Sequence, residues 1–124
     1  YTARAHNIAK DQCGFICSEY ENGLKMRTQE EQEFLIINGI QTRSSRTQCL
    51  LGQYREIQDS KVDVLRLIPQ AEGMKSIIEQ HARVLTGEQE PHEAVATLLD
   101  ELQIDPCNGY WFGTDGMNWK DVNA

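Results

Sequence analysis

No apolar run in this chain is long enough to cross a bilayer. The uncharged stretch "FLIINGIQT" (34–42) holds nine residues, less than half of the ~20 that a spanning helix needs. No signal-peptide pattern is visible, and a chain that starts on Tyr1 rather than Met reads as a processed or trimmed product. The catalytic fingerprints G-x-S-x-G and H-E-x-x-H, the P-loop and the dinucleotide-binding glycine motif are all missing, so the expectation is a protein that is not an enzyme. Internal repeats, low-complexity tracts and an interdomain linker are missing too. A single domain of 124 residues is expected, with 40% hydrophobic and 25% charged residues excluding a wholly disordered chain.

An excess of positive charge is also lacking. The net charge is −7; residues 1–62 carry eight Lys/Arg against eight Asp/Glu, and residues 63–124 carry four against eleven. Such a surface repels phosphate backbones, which argues against nucleic-acid binding and admits a basic protein partner. The segment "INGIQTRSSRTQCLLGQY" (37–54) has a helix-turn-helix outline, but Ser45 and Gln48 occupy positions that ought to pack on the preceding helix. Arg43 and Arg46 read as solvated charges on a loop, "QTRSSR" (41–46).

What the sequence does contain is helical periodicity. Ala5, Ala9, Cys13, Ile16 and Tyr20 recur at steps of three and four, predicting a helix over 3–21 that Asn22-Gly23 ends. The capping-box pattern "TQEE" (28–31) opens a second helix over 28–38, and "SRTQ" (45–48) a third over 45–68. The third carries Leu50, Tyr54, Ile57, Lys61, Val64/Leu65 and Ile68. Met74, Ile77, Ile78, His81, Ala82 and Leu85 mark a fourth over 70–86. Pro91 opens a fifth over 91–103 with Ala94/Val95, Leu98, Leu99 and Leu102. The resulting fold class is mainly α, a small antiparallel bundle of about five helices. A short C-terminal β-hairpin or irregular aromatic tail over 108–122 turns at Asp115-Gly116.

Four cysteines offer two chemistries. Cys13 and Cys17 lie one helical turn apart, too strained to join each other, so each is expected to bridge to Cys49 or Cys107. Two long-range disulfides imply an oxidising compartment, periplasmic or secreted, and contribute about 3–4 kcal/mol each in the chain-entropy account. The alternative is a cytoplasmic metal protein in which His6 joins Cys13, Cys17, Cys49 and Cys107 around zinc or an iron–sulfur cluster. Only one close Cys pair exists, where zinc sites ordinarily use two. Otherwise no cofactor is expected. His81, on an apolar face, reads as a core histidine bonded to a carbonyl, and His92 as solvent-facing.

The tail is rich in rings. Tyr110, Trp111, Phe112, Met117 and Trp119, with Asp115 among them, read as a protein-recognition surface, or else as a cap over open helix ends. The function expected from these features is an acidic, disulfide-stabilised, inhibitor- or immunity-like binding protein. A helical small-ligand carrier with a cavity lined by Met74, Phe34 and leucines is a further alternative.

Overall fold

A computed structural model describes residues 2–121 and shows a mixed α/β chain rather than a five-helix bundle. It divides into two compact units, one ending at Arg46 and one beginning at Thr47. The expected tail reached residue 122, which lies outside the described residues.

In the first unit, helix α1 covers only Thr2–Ala5, followed by 3-10 turns at Lys10–Gln12 and Ile16–Glu19. The predicted helix over 3–21 fails at three left-handed residues: Asn7 (φ 56°), Gly14 (φ 53°) and Phe15 (φ 58°). A stripe of small residues, Ala5, Ala9 and Cys13, buries too little area to hold such a helix against its breaks. Next come three antiparallel strands in the order β1 (Leu24–Arg27), β2 (Glu33–Asn38) and β3 (Gln41–Ser44). The second predicted helix is thus replaced by β2 and the turn before it. Thr28 does accept from backbone N–H groups, those of Glu30 (3.3 Å) and Gln32 (3.4 Å), but as a turn between strands rather than as a helix cap. Ile36 and Ile37 are both buried, and β-branched side chains favour the pleated sheet over a helix.

The second unit opens with β4 (Thr47–Gln48), where a third helix was expected. A 3-10 turn at Leu51–Gln53 leads into α2, which covers only Tyr54–Asp59. Lys61 then adopts φ 57° and the chain runs without regular structure to Gln70. Two full helices follow, α3 (Met74–Leu85) and α4 (Pro91–Leu102). Strand β5 (Pro106–Cys107) returns to pair in parallel with β4. The core gathers Leu51, Val84, Ala94, Val95 and Leu98, with Cys49 at its edge and Trp119 packed against it. Helix α3 turns Gln80 and Val84 inward while Ile78 and Leu85 stay exposed, so its buried face is rotated from the stripe read in the sequence.

The expected C-terminal hairpin is absent among the described residues. Gly109–Phe112 forms a 3-10 turn instead. A different tie closes the segment: Asn108, 1% exposed, donates from Nδ2 to the Lys120 carbonyl (2.9 Å) and accepts from the Lys120 N–H (2.7 Å). The Asn108 N–H also donates to the Asn118 carbonyl at 2.9 Å. One buried amide therefore satisfies the backbone at the far end of a thirteen-residue loop, which no strand ladder is needed to close.

Candidate functional site

The loop from Asn108 to Lys120 carries every predicted recognition residue. Its backbone is cross-braced, with Thr114 N–H donating to the Gly109 carbonyl (2.9 Å) and Asn118 N–H to that of Asp115 (2.9 Å). Gly109 passes so close to the Asp115 carbonyl that no Cβ fits between them.

This closed frame divides the aromatics between two roles. Tyr110 lies over Gly116 yet is 80% exposed. Trp111 is 37% exposed and donates its indole N–H to Glu56 Oε2 at 2.8 Å, which fixes the ring against α2. Phe112 is half-buried beneath the Lys120 ammonium, 5.3 Å from the ring centroid, a cation–π geometry. Met117 is half-buried and Asp115 exposed. Trp119 packs on the core. The loop thus presents Tyr110 and Trp111 outward, while Trp119 serves the interior.

The cysteines do not form the expected bridges: none of the four is joined in a disulfide. Cys13 and Cys17 sit half-buried in the first unit. Cys49 and Cys107 are buried in the second, where β4 and β5 bring them together and the Cys49 N–H donates to the Cys107 carbonyl at 3.0 Å. The expected bridges required a helix over 3–21 projecting two thiols outward, and without that helix their geometry is lost. Burial pushes the Cys49 thiol above its ordinary pKa, the Leu51 backbone opposes this, and nearby Cys107 adds to it. Protonated, enclosed thiols are poor nucleophiles. Iodoacetamide at pH 8 is therefore expected to label Cys13 and Cys17 well before Cys49 and Cys107, as read by peptide mass mapping. Denaturation without reductant should expose four titratable thiols.

The metal alternative draws on both units, and no cluster of three or more His, Cys, Asp or Glu side chains suited to an ion occurs among the described residues. His6 is engaged elsewhere, its Nε2 lying 2.7 Å from the Tyr20 hydroxyl. His81 is half-buried with Nδ1 at 2.7 Å from the Ile77 carbonyl. The Met74 and Phe34 of the expected ligand cavity fall in different units.

One surface is not foreshadowed by the helical periodicity. Val62 (49%), Val64 (79%) and Ile68 (70%) are exposed in the irregular segment after α2, although their spacing assigned Val64 and Ile68 to a buried helical stripe. Alternation of Val62, Asp63 and Val64 was the available sign against a helix. No helix among the described residues is long and apolar enough to cross a membrane. No protein-family model matches this chain, and no solved structure matches its fold.

Proposed function

We propose that this chain is a non-enzymatic interaction protein that recognises a basic protein partner through Tyr110 and Trp111. The observation that supports this reading is the conjunction, in one loop, of a backbone closed by buried Asn108 and a Tyr110 left 80% exposed. A large ring held on a pre-ordered loop loses little conformational entropy on docking, which is the usual make-up of an interface anchor. Charge fits the same partner. The second unit, which carries the loop, holds thirteen Asp/Glu against six Lys/Arg, while the first holds six of each. Opposite charge on the partner raises the association rate.

The test is quantitative capture on immobilised wild-type protein, with Tyr110→Ala and a Val64→Asp/Ile68→Asp double variant run in parallel. Truncating an interface anchor costs about 2 kcal/mol or more, so capture of the partner should fall by about thirtyfold in Tyr110→Ala and persist in the double variant. The reverse pattern would move recognition to the 62–68 segment. Equal capture by all three proteins would discard the loop as the anchor.

A further inference from the structure

A cavity of about 120 Å³ opens in the second unit, beside the loop but apart from its exposed rings. Its apolar wall is built from Val95, Ala96 and Leu99 of α4 together with Trp119. Gly52 leaves room on the opposite side, where a Cβ would come no closer than 3.4 Å to His92 Nδ1. The remaining lining is polar: Gln53, His92, Lys120 and Asp121.

Two of these four, His92 and Lys120, carry hydrogen-bond donors without an acceptor among the described residues. Gln53 is 3% exposed, and its Oε1 is closed off with no partner. His92 has neither ring nitrogen hydrogen-bonded among them. Lys120 rests over Phe112 and has no carboxylate partner among them, in a unit where acids outnumber bases by more than two to one. Asp121 differs, because it already has an interaction of its own. A buried amide left unpaired costs free energy unless a ligand or water completes it. Unpaired donors beside an apolar wall call for an acceptor attached to an apolar body.

We propose that this cavity binds a small carboxylate carrying a compact apolar group. Its volume is close to that of an apolar cavity of ~150 Å³ that accommodates benzene. The apolar group lies against Leu99 and Trp119, and the carboxylate accepts from the Lys120 ammonium and the His92 ring, the charge-assisted bond from Lys120 being the stronger. Asp121, on the same lining, opposes the bound anion but already has an interaction of its own, and exposed charges beyond about 8 Å are screened at physiological salt.

Isothermal titration of the full chain with benzoate, benzamide and benzylamine tests the assignment. Benzoate should bind saturably below about 10 mM, a weak affinity appropriate to so few atoms. Benzamide and benzylamine, of similar shape but without the anion, should bind about tenfold more weakly or worse. Lys120→Met, at an exposed position, should weaken benzoate by a similar factor. Ala96→Phe, also exposed, should fill the cavity and abolish binding with the circular dichroism spectrum unchanged. N-acetylphenylalanine separates two sources of the same chemistry: tighter binding than benzoate assigns a peptide C-terminus, weaker binding a free acid. The proposal is overturned by no saturable benzoate binding, by benzylamine binding as tightly as benzoate, or by an unchanged affinity in Lys120→Met.

Discussion

Gly109→Ala should destabilise this protein by about 3 kcal/mol, lowering Tm by roughly 10 °C. A Cβ at this position would fall 1.8 Å from the Asp115 carbonyl oxygen and 2.8 Å from its carbon. Both are backbone atoms, so no rotamer change relieves the overlap. The loop would have to part between Gly109 and Asp115, breaking the Thr114 N–H to Gly109 carbonyl bond and loosening the ties from Asn108 to Lys120. Gly113→Ala is the control. Gly113 belongs to the same loop with φ 66°, but nothing lies within 4 Å of a Cβ there. Only the left-handed backbone is penalised, at about 1 kcal/mol. Thermal unfolding of the two variants separates a packing requirement from a conformational one; equal losses would remove the close approach as the explanation.

Leu98→Ala should be comparably severe, at about 3 kcal/mol within the usual 2–5 kcal/mol range for a buried leucine. Leu98 is 3% exposed among Leu51, Val84 and Val95, and truncation there leaves a void that rigid neighbours on two helices fill only in part. Leu85→Ala tests the rotated face of α3. The stripe in the sequence assigns Leu85 to the core, whereas the structure leaves it 56% exposed. Its truncation should change stability by less than about 0.5 kcal/mol in urea denaturation.

The elements differ in how much of them can be read from the chain alone, and the difference is physical. Helix α4 is legible because Pro91 marks its first turn and its stripe of Ala94, Val95 and Leu98 is buried as a unit. The capping-box patterns at 28–31 and 45–48 mislead for an equally physical reason. Thr28 accepts from the Glu30 N–H in a strand turn as it would at a helix start, so that local bond does not reveal which structure continues. Short apolar runs such as Phe34–Ile37 fit either period, and pairing with β1 and β3 decides between them.

The candidate site divides along the same line. Tyr110 and Trp111 stand out by composition, but nothing in their spacing reveals that Asn108 reaches Lys120, or that Trp119 turns inward. Gln53 and His92 carry no motif at all. They lie thirty-nine positions apart and become neighbours only when α4 packs beside the turn at Leu51–Gln53.

Sequence alone settled the acidic balance of the second half, the want of a spanning helix and the start of the last helix, because each depends on composition or on residues a few positions apart. Tertiary structure decided the rest: strand against helix over 33–38, unbridged against bridged thiols, which rings face water, and which polar groups surround a cavity. Those outcomes depend on contacts between distant segments, whose free energies exceed the small local preferences that a linear reading can detect.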